Sequence, residues 1–501
     1  MAYLLAHDLG TSGDKAVLYG TDGTIVAETT VPYPTAYPFD KAAEQNPEDW
    51  WSAFCAATRS LLGQPGVSAR EVLAVSFSAQ MNSCLPYGRD GRALRPAMIW
   101  ADQRADAEAA RIAGEVGLRR VYERTGQRLS AALGVAKMAW FKAHEPELYR
   151  QTACFLQPKD TLVFRLTGRM RSDYSDASHL GCFDLETMGW SDEILESAGL
   201  SPAKMPELLP SFATAGTVTR EASEACGLLQ GTPVIMGGGD GACATAGAAI
   251  HEPGQAYAAL GTSGWIATLG DTPYSDPEER TFTLMHLDGR RYIALGAVQM
   301  AGQALNWAAG ALYSEMKPVD FYKQLPEMVR EVPAGSGGLL FLPYLLGERS
   351  PWWNPDASGC FIGLTARQGR NDMLRAVMEG VGLNLRLILD VLSAGRPIRE
   401  MSLLGGVARN PAFAQLLSDV WQRELRLVAM PEYATSAGAA LCAGIGAGVY
   451  KGFGDAAGLN PVRETVKPRA ENRETYQRAL ERFTALYHAL KPVAFSGDPQ
   501  G

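Results

Sequence analysis

The alternation of apolar and polar positions predicts that the chain opens as a β-meander followed by a helix. Apolar runs at residues 3–6, 15–19 and 25–31 predict three strands, which the turns DLGTSG and TDG separate. Residues 47–62 have helical periodicity, with Asn46 as the N-cap and a proline at the first helical position. Strands and helices alternate along the rest of the chain, which indicates an α/β fold.

A second stretch, near the middle of the chain, repeats this opening plan. Predicted strands at residues 255–259 and 265–269 flank the segment LGTSG at residues 260–264. The same five letters occupy residues 9–13, about half a chain earlier. Two strand–turn–strand units at this spacing indicate a duplicated unit and therefore two domains.

Composition defines the broad class of the protein. The chain has 501 residues, which is long for a single hydrophobic core. Its formal charge of −8 argues against nucleic acid or an anionic membrane as the partner. No apolar run approaches the roughly 20 residues of a membrane helix. Eight scattered cysteines without a C-x-x-C pair favour neither disulfides nor a zinc site. We therefore expect a cytoplasmic protein, with homodimer formation left open.

The two LGTSG turns are candidates for phosphate binding. A Gly/Thr/Ser turn between two strands gathers backbone N–H groups and hydroxyls at one point, which suits phosphate oxygens. Neither turn is a Walker motif, and neither begins the strand–GxGxxG–helix of a dinucleotide site, because a strand follows each. A tight hairpin turn without a ligand is the alternative for each copy. We predict that residues 10–13 and 261–264 face each other across one cleft.

Two charged residues flank the first turn. Asp8 ends the first strand, where a carboxylate can hold Mg²⁺ directly or through water. A turn-capping aspartate is the alternative. Lys15 follows the turn and can reach a phosphate, although a solvated lysine fits its position equally well.

Asp240 is the candidate catalytic base. The segment GGGDGA surrounds it with residues that lack bulky side chains, so a substrate can approach closely. Such a carboxylate can accept the proton of an attacking hydroxyl during phosphoryl transfer. The alternative is a turn aspartate ahead of the helix predicted at residues 242–249. Two weaker candidates are GGVARN at residues 405–410, where a flat ring can lie on the glycines, and the long irregular stretch at 343–364, which can also be a connector.

Together these motifs resemble the FGGY family of carbohydrate kinases, and most closely its xylulokinase-like members. The likeness extends from about residue 3 to about residue 449. It rests on DLGTSGDK, NPEDWW, RPAMIWADQRA, PKDTLVFRLTG, SDYSDAS, GGGDGA, LGTSG, FLPYLLGERSP, RAVMEGVGLNLR and LLGGVARNP, in the family's order.

The resemblance implies two RNase-H-like domains of the actin, hexokinase and Hsp70 superfamily, with the active site in the cleft between them. Residues 1–247 would form the sugar-binding domain with the first phosphate loop, residues 248–490 the nucleotide-binding domain, and residues 491–501 a tail. The implied donor is ATP with Mg²⁺, and the implied acceptor is a hydroxyl of a small sugar or polyol.

The resemblance also implies individual roles. Asp8 matches the magnesium-associated aspartate, and Asp240 matches the catalytic base. The implied nucleotide contacts are Thr11, Ser12, Gly13, Lys15, Gly261, Thr262, Gly302, Asn306, Gly405, Gly406 and Asn410. The implied acceptor contacts are Gln80, Met81, Asn82, Trp100, Asp102, Arg128 and Asp240.

The acceptor pocket is where the sequence departs from the family pattern. Xylulokinases typically carry Met-His-Gly where this chain has Met81, Asn82 and Ser83, and glycerol kinases carry an Arg-Glu pair there. Gly241 replaces a frequent Asn or Gln, and His7 replaces an apolar residue. The best candidate reaction converts D-xylulose to D-xylulose 5-phosphate. Another ketose or polyol, such as a tetrulose, ribulose or a pentitol, is the alternative acceptor.

A different class of function is the second hypothesis. An actin- or Hsp70-like nucleotide-binding protein would share the phosphate loops and have a conformational output. It would not need GGGDGA or a polar SAQMNS stretch beside a pocket. A dinucleotide-dependent oxidoreductase is disfavoured, because the strand–GxGxxG–helix pattern is missing.

Overall fold

A mixed sheet of seven strands forms the centre of the N-terminal half. The computed structural model describes residues 2–495 of the chain. Strand Tyr3–Leu9 pairs antiparallel with Gly13–Gly20 around the first LGTSG turn, so that Asp8 lies opposite Lys15. On its other side Tyr3–Leu9 runs parallel to Val72–Ala79. The strand order is Thr214–Thr217, Pro233–Ile235, Val72–Ala79, Tyr3–Leu9, Gly13–Gly20 and Ile25–Pro32, with Gly238–Gly239 also paired to Val72–Ala79.

The C-terminal half contains a second seven-stranded sheet with a related plan. Strand Gln255–Leu260 pairs antiparallel with Gly264–Gly270 around the second LGTSG turn and parallel with Glu400–Leu404. The strand order is Phe282–Met285, Tyr292–Val298, Gly264–Gly270, Gln255–Leu260, Glu400–Leu404, Leu425–Val428 and Val462–Val466. In both sheets an antiparallel meander meets parallel strands at its first member. The prediction of a two-domain α/β fold is therefore confirmed.

Helices and small two-stranded sheets surround these two sheets. The helices of the first half are Pro47–Leu62, Asp106–Val116, Leu118–Thr125, Gly134–His144, Pro146–Gln151, Pro158–Thr167, Tyr174–Ala177, Asp192–Ser197, Arg220–Cys226 and Asp240–Gly247. Those of the second half are Gly302–Leu312, Pro318–Arg330, Arg370–Gly395, Pro411–Trp421, Ala434–Gly446, Ala456–Leu459 and Arg473–Ala494. The small sheets pair Glu44–Gln45 with Ala97–Met98, Leu85–Gly88 with Thr152–Leu156, Arg171–Asp173 with Glu207–Leu209, Phe183–Asp184 with Gly189–Trp190, and Leu340–Leu342 with Cys360–Ile362.

Helix Ala434–Gly446 joins the two halves. It packs on strands Tyr3–Leu9 and Val72–Ala79 and against helix Asp240–Gly247. A Cβ atom added at Gly438 would lie 2.2 Å from the Cys243 carbonyl oxygen, which shows that the two helices meet backbone to backbone. The glycine- and alanine-rich sequence of the helix makes this close approach sterically feasible.

Several boundaries can be compared with the sequence predictions. Helix Pro47–Leu62 has the predicted bounds, and the Asn46 side chain accepts the Glu48 N–H as its N-cap. The helix predicted from residue 242 begins two residues earlier, at Asp240. The last helix continues to Ala494 and so includes the first residues of the predicted tail; residues 496–501 lie outside the described part. No helix within residues 2–495 has the length and apolar character needed to cross a bilayer.

Candidate active site

The first LGTSG turn is fixed from behind by polar side chains. Tyr33 donates its hydroxyl to the Gly10 carbonyl oxygen at 2.5 Å. The Gln45 amide donates to the Thr11 carbonyl oxygen at 2.7 Å, and the Trp100 indole N–H donates to the Thr11 hydroxyl oxygen at 2.8 Å. These bonds occupy the carbonyl groups of Gly10 and Thr11. The Gly10 N–H donates to the Asp8 and Gly13 carbonyl oxygens, so the N–H groups of Thr11 and Ser12 are the candidate donors for a ligand.

The rest of this turn combines one exposed and one confined position. Ser12 is exposed, whereas Gly13 is buried against the neighbouring strand. A Cβ atom at Gly13 would lie 2.7 Å from the Val31 carbonyl oxygen, so a larger residue would displace the hairpin. The glycine therefore serves the tight strand pairing that shapes the turn.

Asp8 and Lys15, which flank the turn, both contact the C-terminal half. The Thr435 hydroxyl donates to the Asp8 carboxylate at 2.6 Å. Burial raises the pKa of Asp8, against the opposing effect of hydrogen bonds from Thr435 and Ser78. The Lys15 ammonium lies 3.7 Å from the centre of the Tyr433 ring and donates to the Glu432 carbonyl oxygen at 3.3 Å. The first turn is thus linked to the segment that begins helix Ala434–Gly446.

The second LGTSG turn meets the start of helix Gly302–Leu312. The Gly302 N–H donates to the Gly261 carbonyl oxygen at 2.8 Å, and the Ala301 N–H donates to that of Thr262 at 3.0 Å. A Cβ atom at Gly302 would lie 2.5 Å from the Gly261 carbonyl oxygen. Gly405 has φ +85° and a similarly close approach to Leu260, at 2.4 Å. Glycine is required at both positions by contact with backbone.

A cavity of about 660 Å³ opens beside this turn. Its lining brings together five residues that the sequence assigned to the nucleotide: Gly261, Gly302, Asn306, Gly406 and Asn410. Apolar groups complete the walls, among them Leu305, Pro326, Val407 and Phe413. Concave, largely apolar walls with a few polar groups are typical of a small-molecule site, and these dimensions suit a nucleoside.

Asn306 and Asn410 have different local partners in this cavity. The Tyr322 hydroxyl donates to the Asn306 side-chain oxygen at 2.6 Å. The Asn410 side-chain oxygen accepts the Phe413 N–H at 3.1 Å and caps helix Pro411–Trp421. Asn410 therefore orients the cavity wall as well as lining it. The sequence analysis missed Tyr322, which carries no motif.

Asp240 occupies the first position of helix Asp240–Gly247. Its side chain is open to solvent, but the surrounding protein still disfavours its charge. Desolvation by the many protein atoms around this solvent-accessible carboxylate and the negative charge of Asp8 raise the pKa of Asp240 to about 7, although the Gly241 N–H donates to its carboxylate at 2.7 Å. A carboxylate with this pKa can both accept and release a proton near neutral pH.

Residues that flank the two LGTSG turns act on Asp240 or on its neighbour Gly241. The Trp265 indole N–H, just after the second turn, donates to the Tyr257 hydroxyl at 3.0 Å. That hydroxyl contacts the Gly241 carbonyl oxygen at 3.2 Å. Asp8 acts on Asp240 from the side of the first turn. The structure thus brings Asp8, Asp240 and the flanks of both turns to one region.

The predicted acceptor residues divide into supporting and pocket positions. Gln80 is 2% exposed and donates to the Gln45 side-chain oxygen at 2.7 Å, so it supports the first turn. Met81 lies directly against the backbone of Gly239, because a Cβ atom there would meet its sulfur at 2.4 Å. Asn82 has φ +63°, and its side-chain oxygen accepts the Gly134 N–H at 3.1 Å.

The remaining predicted acceptor residues also differ in exposure. Asp102 is fully buried, pairs with Arg104 at 2.6 Å and accepts the Ala43 N–H at 2.8 Å. This geometry suits a residue that fixes the local fold. Trp100 is 47% exposed beside Thr11, as described above. Arg128 is half-buried, and its guanidinium lies 5.6 Å from the centre of the Trp353 ring.

The carboxylates near the first turn suit Mg²⁺. Within residues 2–495, no group of three or more His, Cys, Asp or Glu side chains is arranged to hold a metal by itself. Mg²⁺ commonly binds through one or two carboxylates together with substrate phosphates and water. Asp8, with Asp240 in its electrostatic range, supplies this kind of donor set.

Two family models match consecutive parts of the chain. The N-terminal domain of the FGGY family of carbohydrate kinases matches residues 3–247, and the C-terminal domain of that family matches residues 256–447.

Individual relatives span nearly the whole chain. The xylulose kinase of Escherichia coli (strain K12) is 33% identical over 487 residues, covering 97% of this chain and 99% of the relative. The gluconokinase of Bacillus subtilis (strain 168) is 31% identical over 439 residues, covering 86% and 84%. The crystal structure of a ligand-bound xylulose kinase from Lactobacillus acidophilus has a TM-score of 0.92 at 26% identity and covers 99% of both chains.

Proposed function

The chain belongs to the FGGY family of carbohydrate kinases, and on this premise we propose that it phosphorylates a terminal hydroxyl of an open-chain sugar or sugar derivative, with Asp240 as the catalytic base. As a member of this family it is an ATP-dependent sugar kinase. Family membership favours this activity over the alternative of a nucleotide-binding protein with a purely conformational output.

The ATP-binding residues of the proposal surround the second turn. The adenosine moiety lies in the 660 Å³ cavity between Asn306 and Asn410, and the phosphates extend towards Gly261 and Thr262. The N–H groups of both turns, with Thr11, Ser12 and Lys15, then hold the phosphate oxygens. Asp8 would hold Mg²⁺, which neutralises charge on the transferring phosphoryl group when bound.

The acceptor lies on the opposite side of Asp240, near Met81 and Asn82. Asp240 hydrogen-bonds the attacking hydroxyl and takes its proton as the new P–O bond forms and the bond to the leaving ADP oxygen breaks. The backbone donors of the two turns stabilise negative charge that develops on the phosphoryl oxygens. Closure of the two domains would keep water from competing with the acceptor.

One observation carries the proposal: Asp240, whose pKa is raised to about 7, lies in electrostatic range of Asp8 beside the first turn and next to Gly241, whose carbonyl oxygen the Tyr257 hydroxyl contacts. Desolvation by the surrounding protein and the charge of Asp8 together produce that pKa. A turn aspartate without a catalytic role would not need to lie close to Asp8 and to the flank of the second turn. D-xylulose is the acceptor that the sequence resemblance favours, and the xylulose kinases among the relatives support testing it first.

The test measures ADP release from ATP with pentuloses, tetruloses, hexuloses, pentitols and sugar acids. Wild-type protein should release ADP only with particular acceptors, and mass spectrometry should show one added phosphate on the product. Asp240→Asn should reduce turnover about 10²- to 10⁴-fold, the usual contribution of a general base. Asp192→Asn is a matched control, since Asp192 is likewise an exposed aspartate at the first position of a helix. Near-normal turnover by Asp240→Asn would remove Asp240 from the mechanism.

A further inference from the structure

A buried hydrogen bond holds the peptide that comes immediately before Asp240. The Gly239 N–H donates at 3.0 Å to the Ser175 hydroxyl oxygen, although 64 positions separate the two residues in the chain. Gly239 is the N-cap residue of helix Asp240–Gly247, so this bond fixes the backbone from which the Asp240 side chain projects. Ser175 itself is fully buried and belongs to the short helix Tyr174–Ala177.

The polarity of this hydrogen bond follows from the second partner of the Ser175 hydroxyl. Ser175 donates its hydroxyl hydrogen to the Asp173 carboxylate at 2.5 Å, and a carboxylate can only accept. The Ser175 oxygen is then left with lone pairs, one of which the Gly239 N–H takes. The same Asp173 oxygen also accepts the Ser175 N–H at 2.8 Å, as the N-cap of helix Tyr174–Ala177. The Ser175 side chain is therefore held in one orientation.

Lys159 holds the other oxygen of Asp173. The Lys159 ammonium lies 2.8 Å from that oxygen, and both side chains are fully buried. Burial opposes the charge of the ammonium, but three neighbouring carboxylates raise the pKa of Lys159 well above its ordinary value. We call Lys159, Asp173 and Ser175 the support network.

The glycines before Asp240 let the support network reach the backbone directly. A Cβ atom at Gly238 would lie 2.6 Å from the Ser175 hydroxyl oxygen, and one at Gly239 would lie 2.4 Å from the Met81 sulfur. The Gly239 peptide is thus confined between Ser175 and Met81, and Met81 is a proposed acceptor contact. A displacement of this peptide would move Asp240 relative to the acceptor.

The Asp240 carboxylate depends on this backbone for its orientation. In the described part of the chain, its hydrogen-bond donor is the N–H of its own neighbour Gly241, at 2.7 Å, and no other side chain bonds it. A catalytic group must be held close to its productive geometry, since a misplacement of about 1 Å can cost about 100-fold in rate. The bond between Gly239 and Ser175 is the contact that can supply this precision.

The charged composition of the support network favours a role beyond stability. An ammonium and carboxylates buried in a core carry a large desolvation cost, and apolar residues of similar volume often stabilise a core equally well or better. Satisfied polar networks, however, impose a single geometry on the groups that they bond. Here the bonded group is the N–H of the residue that precedes the proposed base.

We propose that Ser175 is a positioning residue for the catalytic base Asp240. Its hydroxyl, fixed by the rest of the support network, holds the Gly239 N–H and thereby sets the direction from which Asp240 meets the attacking hydroxyl. Because Ser175 is fully buried, its effect on the reaction passes through Asp240. This inference rests on the proposed kinase function and adds a residue to its machinery.

The test compares Ser175→Ala with a matched control, Ser211→Ala. Ser211 is also buried and donates its hydroxyl to the same Asp173 oxygen, at 2.6 Å, but its hydroxyl does not bond Gly239. The main-chain contact of Ser211 with Gly237 is unaffected by the change to alanine. Both variants should fold, because each leaves the Asp173 carboxylate with three close donors.

The assay measures ADP release at saturating MgATP with D-xylulose, or with whichever acceptor of the panel above gives the highest wild-type turnover. Ser175→Ala should lower kcat about 10- to 100-fold, the loss expected when a reacting group is slightly misplaced. Its KM for ATP should stay close to the wild-type value, because the nucleotide cavity is lined by the second half of the chain. Ser211→Ala should keep a kcat close to that of the wild type. Equal kcat values for the two variants would overturn the inference.

A double-mutant cycle separates positioning of the base from a general structural effect. If Ser175 acts through Asp240, Ser175→Ala should cause no further loss of kcat in an Asp240→Asn background, whereas independent effects would multiply. A further loss by the same factor as in the wild-type background would overturn the inference.

The wild-type assay keeps the two hypotheses apart. Acceptor-dependent ADP release by the wild type together with equal kcat values for Ser175→Ala and Ser211→Ala would reject the positioning role alone. Absence of acceptor-dependent ADP release by the wild type across the whole panel would reject the proposed function itself.

Discussion

The pH dependence of catalysis gives a direct test of Asp240. Its pKa of about 7 means that the carboxylate is about one tenth ionised at pH 6 and about nine tenths ionised at pH 8. A general base acts only when ionised, so kcat/KM for the acceptor should rise roughly tenfold over this interval. With an ordinary pKa near 4, the same profile would already be flat at pH 6.

The assay follows ADP release at low acceptor and saturating MgATP, at constant ionic strength, from pH 5.5 to 8.5. The residual activity of Asp240→Asn should lack the rising limb. Persistence of the limb in that variant would assign it to another group, such as Glu348, whose pKa is also about 7. A flat wild-type profile between pH 6 and 8 would refute the raised pKa.

Three further predictions concern packing and charge. Lys159→Met leaves the fully buried carboxylates of Asp160, Asp173 and Asp176 without their cation, and should lower the free energy of unfolding in urea at pH 7 by at least about 3 kcal/mol. This loss should shrink at acid pH, where the carboxylates are protonated. Equal losses at all pH values would count against the charge argument. Gly438→Ala forces a Cβ atom against the backbone of Cys243 and should lower the free energy of unfolding by about 1–3 kcal/mol. Gly310→Ala, on an open helix surface, should raise the free energy of unfolding by up to about 1 kcal/mol. A change of the same sign in both variants would contradict the packing argument. Gly405→Ala should raise KM for ATP about tenfold, because alanine is strained at φ +85°, and should change KM for the acceptor little. An unaltered KM for ATP would exclude a role of Gly405 in ATP binding.

The sequence predicted well what depends on local pattern. Helix Pro47–Leu62 and its Asn46 cap follow from neighbouring residues, and the glycines at the two turns follow from the steric demands of tight backbone contact. The roles of individual side chains were harder to predict from the sequence. The resemblance implied that Asp102 contacts the acceptor, but nothing in the sequence showed that Arg104 and the local fold enclose its carboxylate completely.

Contacts between distant segments account for most of the structural features that the sequence could not predict. The Thr435 hydroxyl donates a hydrogen bond to Asp8 although more than four hundred residues separate them, and no spacing rule predicts that contact. Tyr322 lines the 660 Å³ cavity from an amphipathic helix that carries no recognisable motif.

Helix Ala434–Gly446 also bears on how the protein is made. The face of the first sheet that includes Leu4, Ala6 and Tyr19 is buried together with Leu441 of that helix. A ribosome completes the first sheet's strands by residue 239 but adds this helix about two hundred residues later, an interval on the order of 10–40 s at typical synthesis rates. During that time the nascent first half lacks the cover of one apolar face. A fragment cut after residue 247 would retain the same exposed face, so we expect the two halves to be inseparable as soluble pieces unless they are co-expressed.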